Sequence, residues 1–212
     1  MNILEYCVLA ISKDPLKPNI TSVYRDTTRM VGTDGSRLHM VEVAELPRGF
    51  FLDNNKENFS FPEYSRVVPA SDPLAQISIK ISSKKQVKEI ITLIQLVNRL
   101  AQKITGQKVP AVFLEASKEK ELKIQFDGAS TKLDVFLTPY FAIPDELDLT
   151  GVFRVALDAS FLVDALKIGL VDEEQDSRFI TFQYHGETKP FVIKSKVNEN
   201  NTTAILMPLR VR

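Results

Sequence analysis

Residues 76–105 read Gln76-Ile-Ser-Ile-Lys-Ile-Ser-Ser-Lys-Lys-Gln-Val-Lys-Glu-Ile-Ile-Thr-Leu-Ile-Gln-Leu-Val-Asn-Arg-Leu-Ala-Gln-Lys-Ile-Thr105. The first six residues alternate in polarity, as a half-buried strand does. Ser83 and Gln86 then form the pattern of a capping box, in which each side chain satisfies an exposed backbone N–H of the new helix. Val87, Ile90, Ile91, Ile94, Val97, Ala101 and Ile104 recur at helical spacing, so the pattern predicts a helix over 83–105. At about 100° per residue, Lys84, Lys88, Thr92, Gln95, Arg99 and Gln102 share one polar stripe, flanked by Lys85 and Lys103. From Lys80 to Lys108 there are seven basic residues and one acid, Glu89. An acid-poor cationic strip of this kind suits sequence-blind contact with phosphates, and it also suits a solvated helix face.

Working outward, the same order of elements recurs. Strand candidates at 110–116, 121–126 and 131–137 follow the first helix. A second unit has a strand at 152–156, a helix at 158–169 with Asp158 as N-cap, and strands at 178–184, 190–195 and 203–209. Each unit reads β-α-β-β-β, with Asp127-Gly128 and His185-Gly186 at tight turns. The first 70 residues resemble an incomplete copy that lacks its leading strand. A helix with Ile3, Leu4, Cys7, Val8 and Ile11 as its apolar face precedes strands at 20–25, 28–32 and 37–43, and residues 47–60 read as a loop. Two complete units can pair their sheets beneath two helices, which predicts an α+β architecture.

Composition limits the function classes. The chain has 212 residues, 44% hydrophobic and 25% charged, with 27 basic residues balancing 27 acidic ones, so global disorder is excluded. No apolar run has membrane-spanning length and no basic stretch precedes a hydrophobic one, so neither a membrane span nor a secretory signal is expected. The single cysteine, Cys7, fits a reducing, cytoplasmic setting. Its place on an apolar helix face reads as core rather than as a nucleophile. His39 and His185 are far apart, and His39 sits in a strand pattern as a structural residue. Gly32, Gly35 and Gly49 do not make a phosphate loop. No metal site, cofactor or catalytic constellation is expected, and the chain does not read as an enzyme. Acids cluster at Asp145-Glu146-Asp148 and at Asp172-Glu173-Glu174-Asp176; the latter lacks the spacing of a calcium loop and reads as a solvated loop.

Four segments resemble one known family. Thr33-Asp34-Gly35-Ser36-Arg37-Leu38 resembles the Thr-Asp-Gly-x-Arg-Leu turn of bacterial sliding clamps, the β subunit of DNA polymerase III. Phe61-Pro62-Glu63-Tyr64-Ser65-Arg66-Val67-Val68-Pro69 resembles the linker into that family's last domain. Ile205-Leu206-Met207-Pro208-Leu209-Arg210 resembles its C-terminal Met-Pro-Met-Arg, and residues 155–166 are similar to its final helix.

The resemblance implies a DNA-clamp fold, with helices on one face of antiparallel sheets. On this reading residues 1–60 form a partial clamp domain similar to half of a middle domain, 61–75 a linker, and 76–212 a complete last domain. The family's first domain has no counterpart. Lys84, Lys85, Lys88, Arg99 and Lys103 would face double-stranded DNA, whereas Glu5 and Asp164 lie on the polar sides of the other helices. Thr33, Leu38, Pro62, Val67, Ile205, Met207 and Leu209 match the pocket that docks peptides of DNA polymerase and other clamp-binding proteins. Ser36 replaces a residue that is often histidine there. The implied function is a homo-oligomeric processivity factor in DNA replication. The alternative is a monomeric module that binds clamp-binding peptides and regulates replication without encircling DNA.

Overall fold

The computed structural model describes residues 1–43, 49–51, 60–117, 121–127, 131–137, 151–170, 178–197 and 200–210. The two acid clusters and Gly128 lie outside them, as does most of segment 47–60.

The opening unit supplies α1 (Ile3–Val8), β1 (Val23–Arg25), β2 (Arg29–Thr33), β3 (Arg37–Glu42) and β4 (Gly49–Phe51). The second supplies β5 (Ala75–Ile81), α2 (Lys84–Thr105), β6 (Ala111–Ala116), β7 (Leu122–Asp127) and β8 (Lys132–Phe136). The third supplies β9 (Phe153–Asp158), α3 (Ala159–Leu166), β10 (Arg178–Tyr184), β11 (Phe191–Val197) and β12 (Asn200–Leu206). The β-α-β-β-β order holds in both later units. The fold is α+β, with antiparallel pairing throughout its two sheets.

Three expectations are corrected. Gly49–Phe51, inside the expected loop 47–60, pairs with β1 as an edge strand. Before β1, residues Pro18–Ile20 form a short 3₁₀ turn where a strand from 20 was expected. The final strand ends at Leu206, so Met207 and Leu209 lie beyond it.

The leading strands are exchanged between units. β5 pairs with β10 of the third unit, and β9 pairs with β6 of the second. The exchange interlocks the two units. β3 then pairs with β12, which extends one sheet to eight strands in the order β4-β1-β2-β3-β12-β11-β10-β5. The four-stranded sheet runs β8-β7-β6-β9.

The main core lies between the helices and the sheets. Val87, Ile90, Ile91, Ile94, Val97 and Ala101 of α2 are buried there with Ile77, Ile79, Ile81, Leu114, Ile124 and Phe126. Ile104 departs from the expected apolar face. It is half exposed, as are Leu96 and Leu100. Ser83 and Gln86 make the predicted capping box, and Gly106 ends α2 in the left-handed conformation. Asp158 caps α3 by accepting from the Ser160 backbone N–H. Among the described residues no helix is long and apolar enough to cross a membrane.

Around α1 the sequence pattern was misleading. Tyr6 is fully buried beside Cys7, while Ile3, Leu4 and Val8 are only partly buried. The Tyr6 hydroxyl donates to the Ala165 carbonyl at 3.2 Å, tying α1 to α3. Its ring stacks on His39 with centroids 4.4 Å apart. The His39 Nδ1–H donates to the Tyr6 carbonyl at 2.9 Å, and the buried Nε2 has no partner among the described residues. His39 is therefore a structural residue of the core.

Burial depresses the His39 pKa to about 4. An unfolded histidine titrates near 6.5 and binds protons first as pH falls. The stability His39 contributes is thus complete above pH 6.5 and is lost progressively toward pH 4. Unfolding in urea should show His39 costing about 2 kcal/mol at pH 5 relative to pH 8. His39→Gln should abolish that part of the pH dependence. An identical slope in wild type and variant would assign the loss to other groups.

Candidate functional site

Two features of the molecule offer surfaces for partners. The first is α2. Lys84, Lys85, Lys88, Arg99 and Lys103 are all exposed along it, so the strip drawn from sequence is a real surface. Lys85 approaches Glu89 at 3.8 Å with its side chain largely in solvent, a weak pairing. Lys88, Arg99 and Lys103 have no ion-pair partner among the described residues. Arg99 also lines a cleft of about 330 Å³ between α2 and α3, facing Ser160, Asp164 and Lys167.

The neighbouring helices differ in charge. Glu5 is exposed on α1, where its carboxylate accepts from the Asn2 backbone N–H at 2.8 Å. Asp164 on α3 is engaged twice, by Arg37 Nη1 and by Lys167 Nζ, each at 2.6 Å. Positive charge on the helices is therefore concentrated on α2.

The second feature is an apolar row on the opposite sheet face. Thr33, Leu38, Ile205 and Val192 are cross-strand neighbours on β2, β3, β12 and β11. The hairpin before Leu38 is built by its own side chains. Asp34 Oδ1 accepts from the N–H groups of Ser36 and Arg37, Thr33 Oγ1 donates to the Arg37 carbonyl at 2.6 Å, and Gly35 takes φ +93°. Beyond β12, Met207 N–H donates to the Ser36 carbonyl at 3.0 Å, which holds Met207 beside this turn.

Residues from the 61–69 segment cover the row. Leu38 and Ile205 are each only 2% exposed, packed beneath Phe61, Tyr64 and Val68. Phe61 stacks on Tyr24 with centroids 4.6 Å apart. The Tyr64 hydroxyl donates to Asp26, whose Oδ1 also accepts from the N–H groups of Thr28 and Arg29 at 2.8 Å. Burial opposes ionisation of Asp26, but these hydrogen bonds outweigh it and hold its pKa below the ordinary value.

The expected pocket residues thus separate into groups. Thr33, Leu38 and Ile205 line up, with Met207 beside them at 39% exposure. Pro62 and Val67 belong to the covering segment, where Val67 is 41% exposed. Leu209 is set apart. Its N–H donates to the Ala156 carbonyl, and it lines a different cavity with Phe113 and Arg154. Sequence reasoning missed Arg37, which lies in the Thr33–Leu38 motif. Its guanidinium pairs with Asp34 and Asp164 and stacks over Phe161 at 4.4 Å, fixing the turn to α3.

This arrangement of sheets and helices has close structural counterparts. The DNA polymerase sliding clamp from Bacillus subtilis superposes on all of this chain with a TM-score of 0.72 at 17% identity. The chain has the sliding-clamp fold. The β chain of DNA polymerase III from Streptococcus pneumoniae matches 99% of it with a TM-score of 0.71 at 14% identity. The β subunit from Thermotoga maritima does so with a TM-score of 0.68 at 18% identity. In each case the chain spans 62% of the clamp's length. No family model and no curated protein matches the sequence.

Proposed function

We propose that this clamp-like chain binds duplex DNA without sequence preference through α2 and docks short hydrophobic peptides of DNA polymerases against the Thr33–Leu38–Ile205 row. The domain division that accompanies this reading is a partial clamp domain over 1–60, a linker over 61–75 and a complete clamp domain over 76–212. The carrying observation is the exposed, acid-poor strip of Lys84, Lys85, Lys88, Arg99 and Lys103 on a helix whose other face is locked in the core. Lysine and arginine side chains on a rigid rod hold phosphates, release counterions and exchange readily, as motion along DNA requires. Binding of duplex DNA as a function of salt, with and without the strip's charges, tests this.

For the peptide, the row supplies branched aliphatic side chains, and Met207 adds an adaptable thioether at its rim. Because Phe61, Tyr64 and Val68 lie over the row, docking requires that this segment shift or that the peptide extend the cover from Val67 and Met207. Met207→Asp should weaken binding of a hydrophobic polymerase-derived peptide at least about tenfold by burying an unpaired charge. Calorimetric titration reads this directly. Equal affinity would place the peptide elsewhere.

A second reading is a monomeric peptide-binding module that regulates replication. The acids Glu5 and Asp164 on the other two helices favour it, because they leave α2 alone to attract DNA. Light scattering with and without DNA separates the two: association of copies supports a clamp, whereas a monomer that binds peptide but not DNA supports the module.

A further inference from the structure

A further concavity lies on the outer sheet face, away from the helices. It is a groove of about 900 Å³ whose floor is formed by β3, β12, β11 and β10 and whose wall is residues 68–73. None of the seven expected pocket residues lines it.

Three observations identify its ligand chemistry. First, Lys194 and Lys196 both line it, two positions apart on β11. Residues at that spacing point to the same sheet face about 7 Å apart. Neither ammonium group has an ion-pair partner among the described residues, whereas Lys123 and Lys167 each have a carboxylate within 3.0 Å. Carboxylates at i and i+2 of an extended chain repeat at the same interval. Second, the wall's backbone is unpaired. Pro69 and Pro73 bracket Ala70, Ser71 and Asp72, which make no hydrogen bond among the described residues. Their free N–H and C=O groups can pair with another backbone, as at the edge of a sheet. Third, Phe179, 50% exposed, gives the groove an apolar patch.

Two acids, Glu42 and Asp72, share the groove with the two lysines. Glu42 is occupied by Arg29 and by Asn201 Nδ2, the latter at 2.6 Å, and only the exposed Asp72 stands opposite as a bare carboxylate. His185 also lines the groove, with both ring nitrogens buried and without a partner among the described residues. A phosphodiester strand would suit the lysines but would leave the wall's carbonyls without donors. An extended peptide satisfies both.

We infer that the groove docks an extended acidic segment of a partner protein, its carboxylates on Lys194 and Lys196 and its backbone along residues 70–72. The groove shares the outer sheet face with the apolar row, and Val68 and Val192 border both, but Lys194 and Lys196 belong to neither the row nor α2.

The probe is a fluorescein-labelled peptide of sequence Glu-Ile-Glu-Thr-Glu-Val, followed by anisotropy at 50 mM salt on the full chain. The wild type should bind it, and the double variant Lys194→Glu, Lys196→Glu should bind at least about tenfold more weakly. Both lysines are exposed, so the reversal leaves the core intact. A peptide with lysine in place of glutamate should fail to bind, and N-methylation of the acidic peptide's backbone should weaken it. Met207→Asp should leave its affinity unchanged. Equal binding by wild type and the double variant would overturn the inference. So would a duplex oligonucleotide that binds through these lysines when the peptide does not.

Discussion

Replacing Gly32 with alanine is expected to cost the protein about 3 kcal/mol of stability or more, the upper range for overpacking a rigid site. Gly32 lies in β2, where α1 crosses the sheet. A Cβ at this position would sit 2.1 Å from the Cys7 carbonyl oxygen and 3.3 Å from Ile11 Cγ2. The first contact is with backbone, so no rotamer change relieves it. α1 would have to lift from the sheet, and the lift would disturb the Tyr6–His39 stack and the Tyr6 bond to α3. Urea unfolding of the variant, monitored by circular dichroism, reads the loss. Gly35→Ala in the exposed hairpin is the comparison. It has open space around the added methyl and pays only for its φ of +93°, about 1 kcal/mol. Equal stability of Gly32→Ala and wild type would contradict the close approach of α1.

Gly32 also shows where the sequence was silent. Nothing in Met30-Val-Gly-Thr33 signals a helix crossing above, because that contact joins segments distant along the chain. The exchange of β5 and β9 between sheets is equally non-local. Each strand's alternation was visible, but its partner was not. The strand at Gly49–Phe51 was hidden for another reason: three residues between loop-forming segments carry too little periodicity, and pairing with β1 decides their conformation. By contrast, α2 was legible to its cap, because Ser83, Gln86 and a 22-residue amphipathic pattern all agree.

The candidate sites divide in the same way. The cationic strip follows from helical spacing alone. The apolar row needed the β3–β12 pairing, which no local pattern specifies. The resemblance to sliding clamps pointed to its members, but did not reveal that Phe61 and Tyr64 would lie over it or that Leu209 would turn away to β9. Arg37 was overlooked because an arginine in a hairpin turn reads as solvated, and its partner Asp164 is 127 residues distant.

The central claim is that α2 holds DNA by phosphate contacts, and duplex binding against salt tests it most directly. If Lys84, Lys88 and Arg99 each meet a phosphate, log affinity should fall with log salt at a slope of about −2.7, or about 40-fold between 50 and 200 mM. Lys84→Glu, Lys88→Glu and Arg99→Glu combined should remove that slope and weaken binding at 50 mM salt by at least about 100-fold, since repulsion replaces three attractions. All three side chains are exposed and the capping residues are untouched, so the fold should persist, which circular dichroism checks. Loss of affinity and slope together is the result predicted here. A triple variant that binds duplex DNA as tightly as the wild type, with the same salt dependence, would contradict it.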